Sequence, residues 1–360
     1  MHKLLTIFLT AFFCFMPTVS PIWYIIPGVG AGIDAYKPGG EFFKSIQSTA
    51  AQGELIVCHP WHEKEFVETR TRALLEMINN ESYEYTIIKE TLNDTDPSVF
   101  SGAKMIQRII GAYELALQII NNFSKENTSI KVVATSFGGH VIYGASQLLG
   151  ESNNQDLITP DGIATILTPM LHIVQGRLNG PTTKGKLFNF LSKCNQFCCG
   201  LYACCLEEWC NCDDALETAF DDIIKVWELC HKLVQNYKQS VLKKNADLLK
   251  IEQVVTIGTP FVRGVFTPNK DIIQSIKCFY SEGDMVAMLV GNQETENQIN
   301  FRVKMKRKGW CGYGNPTHME LCGDPRLGAL VPKLSQFNHE GIFEFKKNGD
   351  FEFNESPTDL

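Results

Sequence analysis

The stretch "IKVVATSFGGHVIYGA", residues 130–145, decides how this chain is read. Its first five residues are mostly apolar and β-branched, as in a buried strand, and "HVIYGA" starts a pattern suited to a helix. Between the two stand Thr135, Ser136, Phe137 and the pair Gly138-Gly139. A strand that gives way to a helix over so few residues must turn sharply, and small residues are what such a corner tolerates. The turn would lift the Ser136 hydroxyl to the tip of the corner.

Outward from this corner, short apolar runs alternate with longer helical patterns. The runs are "IWYII" (22–26), "ELIVC" (54–58), "YTII" (85–88), "IKVVA" (130–134), "QVVTI" (253–257), "SIKCFY" (275–280) and "INFRVKM" (299–305). Between them, "AKMIQRIIGAYELALQIINNF" (103–123) repeats apolar residues three and four apart, as an amphipathic helix does. Strands alternating with helices predict an α/β fold, a mainly parallel sheet with helices on both faces. "FRVKMKRKG" (301–309) sets Phe301, Val303 and Met305 on one strand face, and its lysines suggest a strand near the sheet edge.

The rhythm breaks once. About a hundred residues separate Gly150 from Lys250, which divides the chain into a core (21–150 and 250–360) and an inserted helical cap or lid (151–249). The cap holds a strong helical pattern over 215–244 and, before it, "LFNFLSKCNQFCCGLYACCLEEWCNC" (187–212). There, Cys194, Cys198, Cys199, Cys204, Cys205, Cys210 and Cys212 stand among aromatic and apolar residues. Their crowding does not repeat the spacing of tetrahedral zinc sites, so no metal is expected. Disulfides that staple a lid are the expectation, with Cys230 as a partner for the odd cysteine, and Cys311 and Cys322 flanking His318 as another candidate pair. The apolar cap also suits contact with a membrane interface.

Residues 1–20, "MHKLLTIFLTAFFCFMPTVS", have a basic start, an apolar run and small residues before position 21, the pattern of a signal peptide. This predicts a secreted or periplasmic protein, with a membrane-associated one as the alternative. The whole chain carries a formal net charge of −7, which argues against nucleic acid as a partner.

"ATSFGG" resembles the nucleophile elbow of the α/β-hydrolase superfamily, G-x-S-x-G, with Ala134 in place of the first glycine. The resemblance covers roughly residues 22–150 and 250–338. It implies a lipase- or esterase-like serine hydrolase acting on a lipid or other acyl ester, without a cofactor, through a serine, an acid after a later strand and then a histidine. In that order the chain supplies Ser136, Asp284 after "SIKCFY", and His318 after "INFRVKM". His339 is the rival base and Asp271 the rival acid. The oxyanion hole would use the N–H of Phe137 and that of Val29 in the glycine-rich "IIPGVGAG" (25–32), with "CHPWH" (58–62) as the alternative loop. "IGTPFVRG" (257–264) resembles a strand-loop of lipase-like members, where Gly258, Thr259 and Pro260 would shape the acyl pocket. Two other functions fit the same residues: an acyltransferase using the same triad, or a catalytically silent fold that binds a membrane or partner.

Overall fold

The computed structural model describes residues 21–28, 33–63, 102–126, 129–151, 213–260, 266–284, 298–306, 313–346, 348 and 350–355. In chain order the main elements are β1 (Ile22–Ile26), α1 (Glu41–Thr49), β2 (Leu55–Cys58), α2 (Gly102–Glu126), β3 (Ile130–Thr135), α3 (Gly138–Leu149) and α4 (Asp213–Leu242). They continue with β4 (Ile251–Ile257), β5 (Ile276–Tyr280), β6 (Gln298–Lys306), the short β7 (Tyr313–Gly314), α5 (His318–Cys322), α6 (Pro325–Leu330), β8 (Gly341–Phe345) and β9 (Phe351–Glu355). The sheet order is β2-β1-β3-β4-β5-β6-β8-β9, with β7 beside β6. From β2 to β8 the neighbours along this order are parallel; β7 and β9 pair antiparallel. This is the α/β fold that the alternating pattern predicts.

Strand periodicity explains the layers. Along β1, Ile22, Tyr24 and Ile26 enter one core and Trp23 and Ile25 the other, because successive side chains point to opposite sheet faces. On the first face lie α2, α3 and α4. Residues Ile109, Ala112, Ala116, Ile119 and Phe123 of α2 recur at helical spacing and are buried there. On the second face, Phe42, Phe43 and Ile46 of α1 meet Leu327 and Leu330 of α6 and the inward side chains of β4 to β8.

Three expectations need correcting. Strand β6 lies inside the sheet, since β8 pairs along it from Phe301↔Gly341 to Met305↔Phe345. Its Phe301, Val303 and Met305 are buried, while Arg302 and Lys304 face Glu282 and Glu344 in ion pairs, so these basic residues are partners across the sheet rather than guards of an edge. The helix expected in the cap is α4, continued by a 3-10 turn over Lys243–Leu248. Val226, Cys230 and Val234 of α4 are buried in the first core, so the main body reaches back into 151–249. Cys230 and Cys322 are free thiols, as are Cys58 and Cys278, which removes both from the bridges considered for them. Residues 1–20, the "YTII" run, Cys311 and the cysteine-rich segment 187–212 lie outside the described residues.

Candidate active site

At the end of β3 the backbone reverses into α3, and Ser136 takes a positive φ of 49°. For a side-chain-bearing residue this left-handed geometry costs roughly 1–3 kcal/mol and persists only where neighbours enforce it. They do: the Ser136 N–H donates to Ile257 O at 2.8 Å, and its carbonyl accepts from the Gly139 N–H and the Thr259 hydroxyl, each at 3.0 Å. The corner is crowded. A Cβ on Gly138 would sit 2.3 Å from Ile26 O, and one on Gly28 would sit 2.4 Å from Ser136 Cβ. Ala134 is fully buried between Ile26 of β1 and Thr256 of β4, so its methyl is accommodated.

Two strands further along the sheet, the turn after β5 carries Asp284, which is fully buried. His318 opens α5, a five-residue helix capped by Thr317, whose N–H donates to Glu320 Oε2 at 2.8 Å. It therefore stands at a helix start rather than in a loop. The acid and base segments are joined where Ser281 Oγ donates to Pro316 O at 2.6 Å. The imidazole bridges the other two residues: Nδ1 lies 2.8 Å from Asp284 Oδ2, and Nε2 lies 2.8 Å from Ser136 Oγ.

Burial works against a charged ring, yet the Cys322 sulfur and the Asp284 carboxylate facing it prevail, so His318 is held above the ordinary histidine value. Cys322 Sγ lies 3.7 Å from Nε2 and donates to Ile257 O at 3.4 Å, which requires a thiol. We therefore attribute the rise mainly to Asp284.

Several further residues brace this arrangement. Gly258, at φ 59°, leaves room that a Cβ would take from Asp284 Oδ2 and Cys322 Sγ, each 3.0 Å away. His140 Nε2 meets Pro260 O at 2.7 Å, and burial, aided by the Arg108 guanidinium, pushes its pKa down to about 3. The neutral ring thus donates from Nε2 and pins the 258–260 loop. Tyr36, also buried, donates its phenol to Cys322 O at 2.6 Å. The "IGTPFVRG" pattern marks Gly258, Thr259 and Pro260, whereas no sequence pattern marks Tyr36.

The rival residues lie elsewhere. His339 is exposed and precedes the start of β8, which runs parallel to β6, so it stands at the opposite end of the sheet from Ser136. Asp271 precedes β5 at that same far end, its carbonyl bonded by the Lys250 ammonium. Strand β1 lies directly beside β3, whereas β2 is one strand further out. The loop after β1 is therefore the nearer to Ser136, although Val29 lies outside the described residues. In the alternative loop, His59 is fully buried with Nε2 at 3.0 Å from Gly111 O, and Trp61 Nε1 donates to Pro27 O at 2.7 Å. That loop braces the first one. The other oxyanion candidate, Phe137, directly precedes α3.

Among the described residues, no cluster of histidine, cysteine and carboxylate side chains could hold a metal ion, and no helix is long and apolar enough to cross a membrane. Comparison with models of known families, with curated proteins and with solved structures found no match to this chain.

Proposed function

We propose that the chain is a serine hydrolase of α/β-hydrolase type that cleaves a carboxylic ester, a lipid or another acyl ester. One observation carries this reading: Ser136 at the end of β3, Asp284 in the turn after β5 and His318 at the start of α5 form two successive 2.8 Å hydrogen bonds. Two further facts support it. Ser136 holds a strained backbone of the kind that collects at reactive sites, and it stands at the C-terminal end of β3, beside β1, where the strand order changes direction. In open α/β sheets that crevice is where ligands bind.

In this mechanism the Nδ1–H of His318 donates to Asp284, which leaves Nε2 to accept the Ser136 proton as Oγ attacks the ester carbonyl. The carbonyl oxygen gains negative charge and is met by the Phe137 N–H and by an N–H of the loop after β1. The C–O bond then breaks, His318 returns the proton to the departing alcohol, and an acyl-Ser136 ester remains. Water, deprotonated by His318, releases the acid and restores the serine. An alcohol entering at the same stage would turn the reaction into acyl transfer. The cysteine-rich segment 187–212 serves in this reading as a cover for the acyl chain.

The test is labelling with a fluorophosphonate probe alongside turnover of p-nitrophenyl esters. Wild-type protein labels and turns over; Ser136→Ala loses the label and at least about 10⁴-fold of kcat while keeping its fold. Undiminished turnover in a folded Ser136→Ala protein would overturn the reading.

A further inference from the structure

Ile257, the last residue of β4, and Gly258 after it bind the strands on either side. The Ile257 carbonyl accepts the Ser136 N–H at 2.8 Å, and the Gly258 N–H donates to Phe279 O at 2.9 Å. This corner is therefore pinned between β3, which leads into Ser136, and β5, which leads to Asp284. Gly258 has a φ of 59°, and the place where its Cβ would stand is bounded by Asp284 Oδ2 and Cys322 Sγ, each 3.0 Å away. The same Oδ2 meets His318 Nδ1. Bare backbone at the corner lets the acid and the base segment close on it together.

His318 needs such a support. Helix α5 has five residues, too few to hold its shape unaided, and the outer torsion of a histidine side chain is broad. Cys322 stands four residues after His318, hence on the same face of the helix. Its sulfur lies 3.7 Å from Nε2 and 4.0 Å from Nδ1, in van der Waals contact with the ring. Its thiol donates at 3.4 Å to Ile257 O, the carbonyl that also takes the Ser136 N–H. Its own carbonyl accepts the Tyr36 phenol at 2.6 Å, which secures the end of α5. Nucleophile and base are thus referred to one oxygen atom, Ser136 through its backbone and His318 through the sulfur against its ring.

We propose that Cys322 is a positioning residue: its thiol, anchored on the Ile257 carbonyl in the space that Gly258 leaves, seats the His318 ring between Asp284 and Ser136. The kinetic consequence rests on the serine-hydrolase reading, whereas the seating of the ring does not. Cys322 is buried and takes no proton in the mechanism, so its loss acts on the catalytic step and leaves substrate affinity alone. Alanine there removes both the donor and the ring contact, and misplacing a reacting group by about 1 Å costs up to ~10²-fold in rate.

The experiment sets Cys322→Ala and Gly258→Ala beside matched controls. Cys230→Ala removes another fully buried free thiol, from α4 in the first core, and so reports the structural cost alone. Gly53→Ala puts a methyl on another positive φ, 93°, in an exposed turn before β2, at the end of the sheet opposite Ser136. Cys322→Ser keeps a donor for Ile257 O. Readouts are melting temperature, kcat and KM on a p-nitrophenyl ester, and the ring-nitrogen resonances of His318 in protein carrying isotope-labelled histidine, assigned by their loss in His318→Ala.

Cys322→Ala should lower kcat about ten-fold with KM nearly unchanged, and should shift the His318 resonances. Cys322→Ser should recover most of both. Gly258→Ala should do at least as much damage, because its methyl presses on Asp284 Oδ2 and Cys322 Sγ together. Cys230→Ala and Gly53→Ala should lose comparable stability yet keep kcat and the resonances. Equal kinetic losses in Cys322→Ala and Cys230→Ala, unmoved His318 resonances in Cys322→Ala, or no recovery in Cys322→Ser would overturn the positioning role. If Cys322→Ala does not fold, Cys322→Val, which fills the space but cannot donate, decides by the same criteria. If wild-type protein neither labels with fluorophosphonate nor turns over esters, the hydrolase reading fails, and the resonances still decide whether Cys322 seats His318.

Discussion

At the scale of single residues, Ser136 shows a site and its scaffold in competition. Its φ of 49° suits glycine, and the hydroxyl is the reason for a side chain there. Ser136→Gly and Ser136→Ala both remove Oγ, but only alanine keeps the strained Cβ. The glycine protein should therefore be the more stable by roughly 1–2 kcal/mol, read as a higher denaturation midpoint, while both are inactive. His318 carries a pH prediction. Its raised pKa means the ring takes up a proton as pH falls through a value above its ordinary ~6.5, and a protonated base cannot accept the serine proton. The acid limb of the kcat/KM profile should have its midpoint above ~6.5, and Asp284→Asn should move it down. The same shift favours the folded state at pH below ~6.5 and loses that contribution as pH rises through the folded-state pKa. His318→Ala should be as damaging as Ser136→Ala and His339→Ala mild, because His339 stands at the other end of the sheet. The opposite ranking in ester turnover would reassign the base.

At the scale of elements, α3 is held at both ends by unlike devices. Its start is the Ser136 corner. Its end is closed by one face of α4, where His231, Gln235 and Lys238 reach the last carbonyls of α3 and its cap. Gln235 Nε2 donates to Leu148 O at 2.7 Å and to Gly150 O at 2.8 Å, and Lys238 Nζ donates to Leu149 O at 2.9 Å. These contacts satisfy carbonyls that a helix end otherwise leaves open, and the lysine also suits the negative end of the helix dipole. Lys238→Met should cost about 1–3 kcal/mol in a urea titration by leaving the Leu149 carbonyl unpaired. It should not change kcat, since the 12-residue α3 sets Lys238 roughly 18 Å from the serine corner. A fall in kcat at full folding would show that α4 reaches the site as well.

For the whole molecule, the question is how far the functional core extends. The resemblance to hydrolases stops near residue 338, before the β8–β9 hairpin. Phe343 and Phe345 are nevertheless fully buried, and Phe343 packs with its ring centroid 5.2 Å from Phe301 and 5.7 Å from Phe279. Each buried phenylalanine contributes about 2–3 kcal/mol, so losing both is comparable to the ~5–15 kcal/mol by which whole domains are stable. A chain ending at Asn338 keeps Ser136, Asp284 and His318 but should be insoluble or unfolded on expression. Soluble, active protein from that truncation would show the hairpin to be dispensable.

Local chemistry was enough to read the strands around Ser136 and the helices at 103–123 and 215–244, and the family resemblance supplied the order Ser136, Asp284, His318. Period-two and period-3.6 patterns are properties of neighbouring residues, and a glycine-flanked serine after a strand needs no distant contact to be recognised. What the sequence left open was decided by pairing between distant segments. Strand β6 became interior because β8 came to lie beside it, and α4 joined the core because its buried stripe found α2 and α3 rather than a separate cap. The choice of His318 over His339 followed from which end of a parallel sheet each one reaches. Tyr36 was invisible to sequence reading for the same reason. Its partner, the Cys322 carbonyl, is nearly three hundred positions away, and only the folded sheet brings that carbonyl to the phenol.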